Sequence, residues 1–391
     1  MILLIFFLSS VYENLKNIKK MERKNIITDI NIEFLDDFPN EIIKNNYDWN
    51  AVSYSKDDMS KRSVFCGINK NDKNDCIHIK QFKVFIDENN AIEINKIFKE
   101  INFLCIMQQY DCFVKLDDIL IDKEKDTKKL YFVFKGNTIS LDKAINSEYF
   151  FNLNNDELIK WIIFQISYGL YILHSNNIIH NDIKPSNILI NEEGSIFISD
   201  FGSACFSNEE SDSYTLYYAS PEFLNNFEKR DEKNDMWALG VIIIELFIKK
   251  NKFFNYKKDN SETQLKCILS KFGLTENLGK DDINNLIYSD ESKYEFNIGA
   301  IESKIKDKNA IELIKNLVVL NPKKRFTAEQ VLKSKYFEDL IEPDTLKIDT
   351  IDSQTINDFF NKLIDKNNFV KIIDELRTKI NNIKNKIKLN K

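Results

Sequence analysis

Apolar and polar positions divide the chain into a stretch of short alternations followed by longer helical stripes. Trp49–Tyr54, Ser63–Ile68 and Cys76–Lys83 are short runs rich in apolar residues between polar turns, which predicts strands. Ile94, Ile97, Phe98, Ile101, Leu104 and Cys105 recur at helical spacing, which predicts a helix over Ile92–Met107. Val114–Ile121 and Lys129–Phe134 read as two further strands. After Phe134 the spacing becomes helical. Asn155 is placed to cap a helix whose first turn carries Asp156 and Glu157, carboxylates that favour a helix N-terminus. Leu158, Ile162, Phe164–Ile166, Leu170 and Leu173 give that helix a wide apolar face. Met236–Phe247 is apolar almost throughout. It falls short of the ~20 residues a bilayer requires and contains Glu245, so it predicts a buried core helix. The regular pattern ends near Phe337, and residues 356–387 again read as helix. Strands first and helices after predict an α+β fold, with a β-rich first part and a larger helical second part.

Composition narrows the function classes. The 391 residues are 43% hydrophobic and 30% charged, enough for a core under a surface of mixed charge. A net charge of −6 argues against a general nucleic-acid partner. The six cysteines form no C-x-x-C pair and lie far from the three histidines, so neither a zinc site nor a disulfide framework is expected. Free thiols suit a reducing compartment, cytoplasm or nucleus. Met1–Leu8 is apolar but too short to span a membrane and lacks a basic leader, so no membrane partner is expected. Met21 is the expected start of translation, with residues 1–20 an upstream extension.

Candidate chemistry concentrates in His180-Asn181-Asp182-Ile183-Lys184-Pro185-Ser186-Asn187 and in Asp200-Phe201-Gly202. Phosphoryl transfer needs a carboxylate to orient the attacking hydroxyl. It also needs an amide and a second carboxylate to hold Mg²⁺ against ATP phosphates, and a lysine to neutralise developing charge. Asp182, Asn187, Asp200 and Lys184 supply these groups in that order. Each fragment is weak by itself. Together, with a hairpin-like segment between them, they resemble the eukaryotic protein kinase superfamily, and Lys184 resembles its serine/threonine branch.

The resemblance spans about residues 47–340 and implies the bilobal protein kinase fold, with an N-lobe at 47–135 and a C-lobe at 136–340. Residues 1–46 are then an N-terminal extension, and 341–391 a helical basic tail. It implies Mg²⁺-dependent transfer from ATP to Ser or Thr of protein substrates. Ile77-His78-Ile79-Lys80 resembles the family's phosphate-binding strand, with Lys83 a rival to Lys80. Glu100 is the expected helical partner of Lys80, with Glu93 the alternative. Val64, Phe134, Lys135 and Asn137 complete the implied nucleotide-binding set. Thr215-Leu-Tyr-Tyr-Ala-Ser-Pro221-Glu222 resembles the end of an activation segment. Thr215 is expected near Asp182 and Lys184, Glu222 paired with Arg325, Asp235 on the catalytic-loop backbone, and His180 packed near Phe201.

Two departures matter. The family's glycine-rich loop is absent, its three glycine positions falling on Asp57, Met59 and Arg62. Without glycine the backbone approaches phosphate less closely, which predicts weaker ATP binding and keeps open an alternative, a pseudokinase scaffold with little or no turnover. Second, Asn181 stands where the family carries an arginine that reads an activation-loop phosphate, so loop phosphorylation is not the expected switch. Glu209, Glu210 and Asp212 read as a solvated acidic turn or as a permanent negative charge in its place. Glu100–Met107 and Asn234–Val241 resemble the replication-initiating cell-division-cycle kinases, and the second stretch also resembles cyclin-dependent kinases. Ala219 departs from the arginine of the cyclin-dependent and MAP kinases. The cell-division-cycle resemblance implies cell-cycle or replication control, an activating regulatory subunit and acidic target sites. From Arg377 onward the chain is basic without acids, and a solvated helix is expected there rather than a docking tail.

Overall fold

The computed structural model describes residues 38–54, 62–73, 75–85, 91–122, 127–146, 156–191, 193–207, 209, 214–225, 231–250, 252–254, 260–274, 278–289, 295–340, 346, 348, 350–352, 354, 360 and 369–389. The expectations for Met21, Asn155, Asp57, Met59, Glu210 and Asp212 fall outside them. The described residues form two compact units, 38–138 with 351–389, and 139–350.

The first unit is built on a five-stranded antiparallel sheet. Its strands are β1 (Tyr47–Tyr54), β2 (Arg62–Asn69), β3 (Cys76–Phe85), β4 (Leu116–Ile121) and β5 (Thr127–Lys135), in the order β1-β2-β3-β5-β4. Alternation sorts its residues by face. Phe65, Ile77, Ile79, Tyr131 and Val133 point one way and pack with Trp49, Leu120 and Phe38, whose ring meets Tyr131 edge-on at 5.1 Å. The short helix α1 (Glu41–Asn46), capped by Asn40, brings Ile43 to this cluster. The helix α2 (Ala91–Ile106) buries Ile94, Ile97, Phe98, Ile101 and Leu104, the spacing read from the sequence.

The second unit is mostly helical. The strand β6 (Thr138–Ser140) runs across the boundary into it, and α3 (Leu141–Asn146) and the long α4 (Asp156–Ser175) follow. The pairs β7 (Ile178–Ile179) with β10 (Cys205–Phe206), and β8 (Ile188–Asn191) with β9 (Ile196–Ile198), frame the segment 180–187. Then come α5 (Pro221–Asn225), α6 (Glu232–Ile248), α7 (Ser261–Ser270), α8 (Lys280–Ile287), α9 (Gly299–Glu302), α10 (Lys308–Leu317) and α11 (Ala328–Leu332). Every residue of α6 from Asp235 to Phe247 is buried, and α4 and α10 pack on it. Such all-round burial marks a core helix. Among the described residues no helix is long and apolar enough to cross a membrane.

A final helix, α12 (Phe369–Leu389), belongs to the first unit and lies on β4. Here the structure corrects the expectation of a solvated tail. Ile372, Ile373, Leu376 and Ile380 form a buried stripe, and Arg377 and Lys384 pair with Asp118 and Asp117. The basic residues beside the stripe are docking groups.

Candidate active site

In the first unit, β3 turns Ile77 and Ile79 into the apolar cluster and so directs Lys80 to the opposite face. There Lys80 Nζ meets Glu100 Oε1 at 2.6 Å. Glu100 is carried on the buried face of α2 and is 1% exposed. A carboxylate so enclosed needs a cationic partner, since burying an uncompensated charge costs several kcal/mol. Val64 on β2 and Phe132 on β5 are the cross-strand partners of Lys80, so both share its face. Phe134 lies on that face too, opposite His78. Lys135 ends β5, and Gly136 turns the chain at a φ of 142° while its N–H donates to Cys76 O at 3.0 Å. Asn137 follows, half-buried. The side chains of the rivals Lys83 and Glu93 lie outside the described residues.

In the second unit, Asp182 is the hub of a polar cluster. Thr215 Oγ1 donates to Asp182 Oδ1 at 2.5 Å, and Lys184 Nζ donates both to Asp182 Oδ2 and to Thr215 Oγ1, each at 2.7 Å. Asn187 Nδ2 donates to Asp182 O at 2.8 Å and to Asp182 Oδ2 at 2.9 Å. With its NH₂ committed in this way, Asn187 presents its amide oxygen as the atom for a cation. Asp200 holds a left-handed conformation, φ 64° and ψ 73°, which costs a non-glycine residue about 1–3 kcal/mol and persists only where neighbours impose it. One neighbour is Phe201, fully buried, with the His180 ring 5.3 Å away. His180 Nε2 lies 3.0 Å from Ser199 O, fixing the residue before Asp200.

The loop backbone is anchored from α6. Asp235 accepts from His180 N at 2.8 Å and Asn181 N at 2.9 Å, while His174 Nε2 lies 3.0 Å from the same carboxylate. Asn181, also left-handed at a φ of 64°, donates through Nδ2 to Ser203 O at 3.1 Å and Cys205 Sγ at 3.0 Å. This neutral clasp joins the catalytic loop to the start of the next segment. Glu209 turns back on that segment, its carboxylate accepting from Phe206 N at 3.3 Å on an exposed turn. At the far end, Arg325 forks onto Glu222, with Nη1 to Oε1 at 2.7 Å and Nη2 to Oε2 at 3.0 Å. A recess lined by Asp182, Ile183, Tyr214, Thr215, Tyr218 and Phe223 opens beside the hub.

The structure thus brings together Asp182, Lys184, Asn187 and Thr215 in one unit, and Lys80, Glu100 and Val64 in the other. Sequence reasoning missed the contact of His174 with Asp235, the clasp of Asn181, and the bond from Tyr218 Oη to Glu245 Oε2 at 3.0 Å. Glu245, a charge within an apolar helix, was the one visible signal for the last of these. Burial pushes its carboxyl up to about 7.

The protein kinase domain matches residues 61–337. The chain belongs to the protein kinase family. It is 30% identical over 261 residues to "Mitogen-activated protein kinase HOG1" of Cryphonectria parasitica, covering 63% of this chain and 68% of that protein. The same identity and coverage hold for "Mitogen-activated protein kinase hog1" of Trichoderma harzianum. Protein kinases use ATP with Mg²⁺, and the amide oxygen of Asn187 with the Asp200 carboxylate is a hard-oxygen donor set that fits this cation. The family match supports an ATP-dependent serine/threonine protein kinase.

Proposed function

We propose that this kinase is catalytically active through Asp182, and that it needs no phosphate on its activation segment. The observation that carries the proposal is the Asp182 hub, where Lys184, Thr215 and Asn187 all donate to one residue. Asp182 orients a Ser or Thr hydroxyl of the substrate and takes its proton. Lys184 neutralises charge on the group in transfer. Asn187 and Asp200 would hold Mg²⁺, which would neutralise charge at the phosphates. Lys80, kept straight by Glu100, binds the α- and β-phosphates, and Val64, Phe134, Lys135 and Asn137 enclose the adenine. The Asn181 clasp supports phosphate independence, since it joins loop and segment without a charge. The missing glycines weaken ATP affinity without removing any of these groups.

The chain resembles the mitogen-activated protein kinases above in overall sequence and the cell-division-cycle type at Glu100–Met107 and Asn234–Val241. A regulatory subunit, acidic target sites, replication control and a cytoplasmic or nuclear location follow only from the second resemblance and from the free thiols.

The test is γ-phosphate transfer from Mg-ATP, at millimolar ATP, to an acidic Ser/Thr substrate. Asp182→Asn is expected to lose about 10²–10⁴-fold in rate. Phosphatase-treated wild type is expected to keep its rate. Nucleotide binding by the wild type without transfer would establish the scaffold reading instead.

A further inference from the structure

Strand register sorts the side chains of the five-stranded sheet into rows. On the face away from the apolar cluster, Val64, Lys80 and Phe132 stand side by side across β2, β3 and β5. One pleat along, Cys66, His78 and Phe134 form the next row. Two residues of strand set the rows about 6.6 Å apart, and neighbours within a row have Cβ atoms about 4.5–5.5 Å apart. The first row holds Lys80, which Glu100 meets at 2.6 Å. The second leads into Lys135 and the turn at Gly136. Cys66, His78 and Phe134 are all half-buried, whereas Ile77 and Ile79, on the other face of β3, are buried. The second row therefore keeps open surface, and His78 is its central member. An imidazole stands taller on a sheet than the thiol of Cys66 or the methyls of Val64, and the ring of Phe134 stands beside it. The family's strand reads Val-Ala-Ile-Lys, so in this chain a ring occupies the place of a single methyl. A flat purine pressed on such a row cannot lie close to all three side chains at once, and forcing it to do so is unfavourable in the way that overpacking a core is.

We propose that His78 sets the nucleotide selectivity of this kinase: its imidazole takes part of the room that a purine would fill against the sheet, so nucleoside triphosphates bind chiefly through their phosphates and their bases are weakly discriminated. The proposal rests on the kinase reading above, which assigns the phosphates to Lys80 and the base to Phe134, Lys135 and Asn137. It is separable from the loss of the glycines. That loss acts on the approach of backbone to phosphate and weakens every nucleoside triphosphate alike. His78 acts on the base and changes the ratio between nucleotides.

The experiment uses the full chain, as wild type and with His78→Ala, His78→Val or His78→Phe. Valine removes the ring while keeping strand propensity, and phenylalanine keeps a ring in the row. Equilibrium binding of Mg-ATP and of Mg-CTP is read beside kcat and KM for each, with one acidic peptide as acceptor. The wild type is expected to bind the two nucleotides within about tenfold of each other. His78→Ala and His78→Val are expected to tighten ATP by about tenfold or more, in Kd and KM alike, with CTP and kcat little changed. His78→Phe keeps the wild-type ratio. A purely structural histidine would lower the melting temperature on substitution and leave the ATP-to-CTP ratio where it was. That result, or weaker ATP binding by both opened variants, overturns the proposal. If the wild type binds neither nucleotide, the opened variants are expected to gain ATP binding, and their failure to gain it counts equally against His78. Should the wild type bind nucleotide and transfer no phosphate, the functional reading fails, and the binding ratio still decides the role of His78.

Discussion

Two buried carboxylates of the second unit behave differently because of what surrounds them. Glu222 is met by both terminal nitrogens of Arg325, whose guanidinium also donates to Lys233 O and Val319 O. Among the described residues Glu245 meets no such cation. It accepts from Tyr218 Oη and Phe253 N, and burial raises its carboxyl from 4.5 to about 7. Between those values the folded chain holds a proton that the unfolded chain has released. Stability therefore falls as pH rises through that window and levels off above it, by about 3 kcal/mol in all. Glu245→Gln is expected to flatten this slope relative to the wild type, as read from urea midpoints between about pH 5 and about pH 8.

At the scale of elements, close packing sets the tolerances. A Cβ at Gly240 on α6 would come within 2.9 Å of Leu317 Cβ and Val318 Cγ2. Neither atom is the free end of a long side chain, so the helices must separate. Gly240→Ala is expected to cost about 1–3 kcal/mol, seen as a lower melting temperature. The strands and long helices were legible in the sequence because their cores are local patterns: alternation in β3, helical stripes in α2 and α4. The polar cluster of Asp182, Lys184 and Asn187 was legible for a similar reason, since the three lie within one short segment. The His174–Asp235 and Tyr218–Glu245 contacts were not, because each joins elements distant in sequence through side chains with no shared local pattern. The basic end of α12 misled for a physical reason. Lysine and arginine usually mark a solvated face, but here they flank Ile372, Ile373, Leu376 and Ile380 and meet two aspartates on a strand far back in the chain.

For the whole molecule, chain order and spatial order disagree. The first unit owns residues from both sides of the second. A chain stopped at residue 368 is expected to melt the first unit earlier while the second melts unchanged. Four aliphatics that α12 buries, ~1.5–3 kcal/mol each, are missing from that chain, which sets the direction of the shift. Calorimetry that separates the two transitions would check this.

β4 is an edge of its sheet, and α12 is what covers it; Lys384 even caps the Asp117 carbonyl. During synthesis, that edge leaves the ribosome well before its cover does, with the whole of the second unit made in between. Until translation reaches residue 389, the nascent protein displays an uncapped strand edge of the kind that recruits other strands. The risk of misassembly is therefore greatest in the interval while residues 139–368 are being made, and it ends when the last helix closes over a sheet completed long before.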